Sequence, residues 1–253
     1  MAIESQIDLN EERLITATEE ALAAALVLIA TLDVVNGRIV NDQLNVDRAD
    51  ALRGRFTDSL LPYFSSVDEV VTSFASVGPN IREDFKSADV DIEFNDQDVK
   101  ILTAVSGNVR LSLRALGNKT ASDIGTIVYN GTISGDTIEN VNKTVEQLLI
   151  GNTGKPGRSL SHVAATEAET AIMEFNAIMT RRKGDEIGIQ KYGYAGSLIK
   201  DSRQWCIDHV NRDYTLEEIE EWGPQLWQGK KPGNPFVTRG GWRCRHRWIP
   251  KTQ

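Results

Sequence analysis

The sequence predicts a mainly helical fold of the α+β class, with an N-terminal helical region followed by a small C-terminal α+β module that contains short strands. Three observations predict this class. Apolar residues recur every three or four positions through much of residues 12–150. All five tryptophans occur from position 205 onward, and both cysteines occur there too. The segment from position 205 to the C-terminus is too short to enclose a large core. Modules of this size commonly rely on bulky aromatic residues and on a metal or a disulfide.

Length and composition are those of an ordinary globular protein, because the 253 residues are 40% hydrophobic and 25% charged. We predict three consecutive regions along the chain. Residues 1–78 form an N-terminal helical region, and residues 79–158 form a second helical region with a short hairpin and a glycine-rich linker. Residues 159–253 form the C-terminal module.

The first region is predicted to consist of packed helices. Its buried positions step by three and four at Leu14, Thr18, Leu22, Ala25 and Ile29. The surrounding apolar run is interrupted by polar residues before it reaches the length of a membrane span, so we expect no membrane partner. The N-terminus is acidic, whereas secretory and mitochondrial presequences have a basic start, so we expect synthesis in the cytoplasm.

The second region is predicted to contain two helices, at residues 96–117 and 135–150. We expect residues 76–94 to be irregular, because a Gly-Pro pair interrupts any helical period there. Between the two helices, "IGTIVYNGTIS" has the Asn-Gly pair and β-branched residues of a short hairpin. The glycine-rich stretch at 151–159 lacks the spacing of a phosphate-binding loop and predicts a linker.

The third region is predicted to alternate helices and short strands. A long helix covers residues 159–184, and a strand with two tyrosines on one face follows at 187–196. A short helix carries residues 205–209, and "TLEE" at 215–218 is a capping box that begins another. The last stretch is predicted to form a hairpin or paired extended segments around Gly240 and Gly241.

Two Cys/His pairs in this third region are candidate metal ligands. Cys206 and His209 are spaced i, i+3 on one side of a helical turn, and Cys244 and His246 are spaced i, i+2 on one face of a strand. Brought together, the four would form a closed tetrahedral site of the kind that holds structural zinc. Two alternatives stay open, namely a buried pair of cysteines with stacking histidines, and a Cys206–Cys244 disulfide formed after release from the cell.

Charge is distributed unevenly along the chain. The net charge is −8, yet residues 229–253, called here the basic segment, contain seven basic residues and no acid. These residues are Lys230, Lys231, Arg239, Arg243, Arg245, Arg247 and Lys251. The pattern indicates either contact with nucleic acid or an acidic partner, or a segment that folds back on its own acidic chain.

Three stretches in this order carry a resemblance to a known family. They are "AATEAETAIMEFNAIM", "YGYAGSLIKDSRQWCIDHVNRDYTLEEIEEW" and "GGWRCRHRWIP". Their order resembles the C-terminal region of the tailed-phage minor head proteins, the head-morphogenesis family that includes the Mu F-type proteins. In that family a helix rich in Thr, Glu and Asn precedes an aromatic strand, a D-x-x-T-R-x-x-C-like element, a T-x-E-E helix and a closing G-G-x-x-C-R-H.

The resemblance covers about the last 90 residues, and "DSRQWC" lacks the threonine of the family pattern. It places Asp201, Arg203, Cys206, His209, Cys244, Arg245 and His246 at characteristic family positions. Among them, Asp201 and Arg203 are expected to have structural roles, as are Trp205 and Trp242 beside the two cysteines.

The resemblance implies a non-enzymatic structural protein of the phage head. Such a protein acts near the portal in capsid assembly and in genome packaging or delivery, within an oligomeric assembly with portal or major capsid protein. It is expected in the virion and in non-specific contact with double-stranded DNA. The alternative is a zinc-dependent nucleic-acid-binding protein or nuclease. Its candidate residues are His209 and His246 together with Asp201, Asp208 or Glu218.

Overall fold

The computed structural model describes residues 3–152 and 158–252, and its fold is mainly helical with a small C-terminal sheet. The helices are α1 (Ile3–Ile29), α2 (Gln43–Ser59), α3 (Leu61–Ser73), α4 (Val77–Lys86), α5 (Asp96–Ser134), α6 (Ile138–Leu149), α7 (Leu160–Glu186), α8 (Gln204–His209), α9 (Leu216–Glu220) and α10 (Pro235–Thr238). The strands are β1 (Val34–Val35), β2 (Arg38–Ile39), β3 (Lys191–Ala195), β4 (Arg212–Thr215) and β5 (Arg247–Lys251). The predicted fold class is confirmed.

The chain divides into two compact units that are not consecutive in sequence. One unit contains residues up to Asp8, Thr72–Gly107 and the chain from Thr166 onward, and the other contains Leu9–Val71 and Asn108–Ala165. This division differs from the three consecutive regions predicted from the sequence. The predicted glycine-rich linker falls largely on residues 153–157, which lie outside the described residues.

The unit built from residues 9–71 and 108–165 has an apolar core of helix faces. Leu14, Ala25 and Ile29 of α1 are fully buried, as the spacing predicts. Thr18 is also buried, because its hydroxyl donates a hydrogen bond to the Leu14 carbonyl 3.0 Å away and so needs no water. None of the described helices has both the length and the apolar character that crossing a membrane requires.

The hairpin predicted within "IGTIVYNGTIS" is absent, because α5 continues as one helix to Ser134. Ile124 and Val128 are fully buried there, so tertiary packing outweighs the preference of β-branched residues for strands. At Gly131 a Cβ atom would lie 2.5 Å from Val141 Cγ2, so the glycine permits close approach of α6. The helix stops where Gly135 adopts a positive φ of 58°.

Residues 76–94 are only partly irregular, which corrects a second prediction. Helix α4 covers Val77–Lys86, and the Gly-Pro pair lies in its first turn. Proline is tolerated there, since the first amides of a helix have no intrahelical acceptor. Val77, Ile81 and Phe85 recur every fourth residue and are fully buried.

The C-terminal sheet has the order β4-β3-β5, and both pairings are antiparallel. In the central strand β3, Tyr192 and Tyr194 are fully buried on the same face, and Tyr194 lies opposite Trp248 of β5. The capping box of α9 is confirmed, because Thr215 and Glu218 each accept a hydrogen bond from the backbone amide of the other.

The predicted hairpin around Gly240 and Gly241 is wrong, although the end of this stretch is an extended and paired segment, β5. Asn234 caps the short helix α10, which has Pro235 in its first turn, and strand β5 pairs with β3 rather than with a neighbouring segment. Residues 239–246 therefore form an irregular segment between α10 and β5, called here the ligand loop. Cys244 and His246 belong to this loop and not to a strand.

Candidate metal centre

The C-terminal module is built around aromatic residues. Trp248 is fully buried and Trp222 nearly so, while Trp205 and Trp227 pack against the same cluster. Trp242 is the exception, with 41% of its surface exposed. The clustering of tryptophans in the sequence therefore corresponds to one small core.

Three of the four predicted ligands meet inside this core. Cys206 comes from α8, whereas Cys244 and His246 come from the ligand loop, and all three are buried. Their ligand atoms lie within 4.8 Å of one another, and Cys244 Sγ is 3.6 Å from His246 Nδ1. Both cysteines are free thiols, so the alternative of a Cys206–Cys244 disulfide is not what the structure contains. This buried group could hold a metal ion.

The fourth predicted ligand, His209, lies apart from this group. Its Nδ1 is 2.6 Å from the carbonyl oxygen of Trp205, and its ring stacks on the Trp205 ring with centroids 4.0 Å apart. His209 is the last residue of α8, and histidine side chains near a helix C-terminus often hydrogen-bond to carbonyls of the preceding turn. His209 therefore contacts a helix carbonyl and stacks on Trp205, and it does not join Cys206 as a ligand.

The pKa values of the two thiols are shifted in opposite directions, because the hydrogen bond between them favours the thiol of Cys206 and the thiolate of Cys244. The hydrogen bond with Cys206, together with His246 and Arg239, lowers the pKa of Cys244 well below its ordinary value, against the effect of burial. The hydrogen bond with Cys244 and burial both raise the pKa of Cys206. Cys244 is therefore the first of the pair to become a thiolate, which is the form that binds metals.

A glycine leaves room beside the sulfur atoms. A Cβ atom at Gly240 would lie 2.6 Å from Cys206 Sγ, 2.9 Å from Cys244 Sγ and 3.1 Å from Tyr194 Oη. Such distances are too short for any side chain, so a residue other than glycine would fill the space into which these atoms point. The glycine keeps that space open.

Salt bridges to α7 hold the ligand loop. Glu169 is nearly fully buried and accepts hydrogen bonds from Nε of Arg243 at 2.9 Å and from Nε of Arg245 at 3.0 Å. These two arginines flank Cys244 in sequence. Arg243 has a positive φ of 53°, a strained conformation that persists where surrounding contacts enforce it. The buried carboxylate therefore fixes both neighbours of a candidate ligand.

The seven cations of the basic segment all contact their own chain. Carboxylates pair with Lys231, Arg243, Arg245, Arg247 and Lys251. Main-chain carbonyls accept hydrogen bonds from Lys230 and Arg239. These contacts agree with the interpretation that the basic segment folds back on its own acidic residues.

The acids considered for a nuclease lie outside the Cys/His group. Asp208 accepts a hydrogen bond from Gln204 on its own helix, and the Glu218 carboxylate caps α9. Asp201 is exposed in the loop before α8. Arg203 instead has a structural contact of the kind the resemblance implies, because its guanidinium donates to the Trp242 carbonyl.

Sequence reasoning missed four residues around the candidate metal centre. Tyr194, Gly240 and Glu169 were not considered as site residues, and Arg239 was predicted to face a partner although only 1% of its surface is exposed. The glycine pair beside Cys244 is a sequence signal for close approach. The positions of Tyr194, Glu169 and Arg239 at the site depend on contacts between segments that are distant in sequence.

Comparisons with protein-family models, with curated proteins and with solved structures found no match for this chain.

Proposed function

We propose that this chain is a structural protein of a tailed-phage head, a minor head component that acts near the portal in capsid assembly and in genome packaging or delivery. One observation carries the proposal. The three stretches that resemble the minor head family are separated by 12 and 17 residues, and they contribute α7, β3, α8, α9, the ligand loop and β5 to one module with a common core. Their packing around one core supports a likeness of the whole module rather than of isolated short motifs.

We further propose that the module holds one structural zinc ion. Two thiolates and an imidazole are ligands that zinc favours. The 3.6 Å between Cys244 Sγ and His246 Nδ1 matches the edge of about 3.6 Å expected for a tetrahedron with Zn–S near 2.3 Å and Zn–N near 2.1 Å.

In this role the zinc would join α8 to the ligand loop. Cys206 fixes one side, while Cys244 and His246 fix the other, and burial excludes water from the three side chains. Such a cross-link supplies stability that a small aromatic core lacks. Its contribution is structural, in keeping with a protein that must persist in a particle.

The virion proposal is tested by protein identification in purified particles of the phage that encodes the chain. We expect the chain in density-purified particles, at lower abundance than the major capsid protein. Whole lysate of infected cells serves as the control for expression. Presence in the lysate together with absence from both particles and isolated head precursors would contradict the proposal.

A further inference from the structure

Three protein ligands leave one position of a tetrahedral zinc site without a donor, and His209 does not provide it. The identity of the fourth donor decides whether the site is closed by the protein or open to solvent. The structure offers one protein oxygen at this place.

The hydroxyl oxygen of Tyr194 lies 3.1 Å from Cys244 Sγ. It also shares with both sulfur atoms the small space above Gly240, within 3.1 Å of the position that a Cβ atom would occupy there. Three atoms from α8, from the ligand loop and from β3 therefore converge on one volume. The tyrosine is fully buried, and its ring stacks on the His246 ring with centroids 5.0 Å apart.

Strand pairing fixes this position. Tyr194 is in the central strand β3, between Arg212 of β4 and Trp248 of β5. Because neighbouring strands constrain it on both sides, its side chain has little freedom to leave the site. This support on a rigid element is what a metal ligand needs.

The charge of Arg239 points to an anionic group at the site. This arginine is buried, and its Nη1 donates to the carbonyls of Met173 and Val237. In the described part of the chain no carboxylate pairs with it, and its Nε has no hydrogen-bond partner. Burial and the two cysteines raise the pKa of Tyr194 well above its ordinary value, against the lowering effect of Arg239, so the phenolate requires the additional positive charge of a bound metal. A buried cation requires a nearby anion, since desolvation without one costs several kcal/mol or more.

Without a metal, the Cys244 thiolate is the anion beside Arg239, and the balance of charges changes when zinc binds. Zinc with two thiolates and a neutral imidazole has no net charge, so it does not balance Arg239. Zinc with two thiolates, an imidazole and a phenolate has a charge of −1, which does. A bound hydroxide would have the same effect, but the oxygen already at this position belongs to Tyr194.

We propose that Tyr194 is the fourth ligand of the metal, bound as phenolate, with Arg239 as its buried counter-charge. The inference rests on the proposed zinc site and specifies its ligand set as Cys206, Cys244, His246 and Tyr194. When the metal binds, the hydroxyl of Tyr194 and each cysteine thiol that is still protonated release their protons to solvent as the metal–oxygen and metal–sulfur bonds form. No electrons are exchanged. The sulfur–oxygen edge of such a site is about 3.5 Å, so Tyr194 Oη would move away from Cys244 by about 0.4 Å.

The test compares Tyr194→Phe with Tyr192→Phe in the full chain. Both tyrosines are buried in β3, but Tyr192 contacts the Ile189 carbonyl rather than the cysteines. Zinc is added to metal-free protein while the near-ultraviolet difference absorption of tyrosinate is recorded, and affinity is measured by competition with a chelator of known zinc affinity. We expect a tyrosinate signal that saturates at one zinc per chain in the parent and in Tyr192→Phe. In Tyr194→Phe the signal should vanish and affinity fall by about 100-fold or more, since even outer-shell partners are worth about 10- to 100-fold.

The outcomes separate this inference from the zinc proposal. Zinc that binds the parent stoichiometrically without a tyrosinate signal would overturn the role of Tyr194 and leave the zinc site intact. Failure of the parent to bind zinc would overturn both. Should Tyr194→Phe not fold, the signal in the parent and in Tyr192→Phe decides alone. Its presence supports tyrosine ligation, and its absence overturns it.

Discussion

At the scale of single residues, the space above Gly240 is the most sensitive part of the candidate metal centre. Its Cβ position lies within 3 Å of both sulfur atoms, whereas a Cβ at Gly54, an exposed helical position in α2, would meet nothing within 4 Å. We expect Gly240→Ala to lose zinc binding by at least about 100-fold, because the methyl group occupies the volume of the ion. Gly54→Ala should bind zinc like the parent. Competition with a chromophoric chelator measures both variants, and equal affinity of Gly240→Ala would show that the metal binds elsewhere.

The two histidines make the ligand assignment testable in a second way. His246 is buried with the cysteines, whereas His209 stacks on Trp205 and contacts its carbonyl. We expect His246→Ala to reduce the zinc content to well below one per chain and His209→Ala to leave it near one. Elemental analysis of both purified proteins provides the measurement. Loss of zinc in both variants would restore the four-ligand set predicted from the sequence.

The sequence located most of the metal centre but not all of it. Cys206, Cys244 and His246 could be named from residue type and spacing. Tyr194 and Arg239 could not, because their roles depend on how β3 pairs with β5 and how the ligand loop contacts α7. The prediction that His209 is a ligand is wrong because its i, i+3 spacing from Cys206 predicts only the side of the helix on which it lies. The spacing does not predict that the ring contacts a carbonyl of its own helix instead of a metal.

At the scale of elements, Asp84 links α4 to strand β5. Its carboxylate is nearly buried and lies 3.1 Å from Nε of Arg247, yet burial raises its pKa from 3.8 to about 6. The folded protein therefore binds this proton more tightly than the unfolded chain does. The resulting stabilisation is complete below about pH 3.8 and is lost as the pH rises to about 6.

Replacing Asp84 with Asn removes this proton equilibrium. We expect the free energy of unfolding of the parent, relative to Asp84→Asn, to fall by about 2.4 kcal/mol between pH 4 and pH 7, at about 1.4 kcal/mol per pKa unit. Denaturant titrations of both proteins across this range measure the difference. A constant difference over the whole range would mean that Asp84 titrates normally and that its burial has no energetic consequence.

Two Asn-Gly pairs show why element prediction fails where it does. Asn36 and Gly37 both have positive φ and form the turn between β1 and β2, whereas Asn130 and Gly131 lie inside α5. The dipeptide is the same at both places, yet the sequence pattern predicts a hairpin at the second position only. Packing of Gly131 against α6 distinguishes the two places, and local sequence does not contain that information.

At the scale of the whole molecule, the proposed zinc is the main support of the C-terminal module. Structural zinc contributes on the order of 10 kcal/mol in small modules. We expect a chelator to shift tryptophan emission toward the red, because all five tryptophans lie between positions 205 and 248. Trypsin should then cleave after about residue 185, while most of the helical circular dichroism from α1–α7 remains. Cys206→Ser is the control for the chelator. Because this variant lacks a zinc ligand, adding the chelator should change neither its tryptophan emission nor its cleavage by trypsin. Unchanged emission in zinc-free parent would contradict a stabilising metal.

The internal ion pairs of the basic segment predict that the full chain has a low affinity for duplex DNA. Contact with duplex DNA remains a proposal, but five of the seven cations already pair with carboxylates. We expect weak binding even at low salt, since few counterions could be released from the DNA. Fluorescence anisotropy with a labelled duplex at several salt concentrations measures this. Tight binding that weakens steeply with salt would instead favour DNA contact through this segment.

The alternation of side chains along β3 has a kinetic consequence. Tyr194 faces the cysteines only in the register that places it opposite Trp248, and a slip of one residue would turn Gly193 toward them instead. The other ligands come from α8 and from the loop before β5, so the full ligand set assembles only after distant segments have paired. Long-range pairing is slow compared with helix formation. We therefore expect tight zinc uptake during refolding to lag behind the recovery of helix, so that the ion is retained only by chains whose strands are correctly aligned.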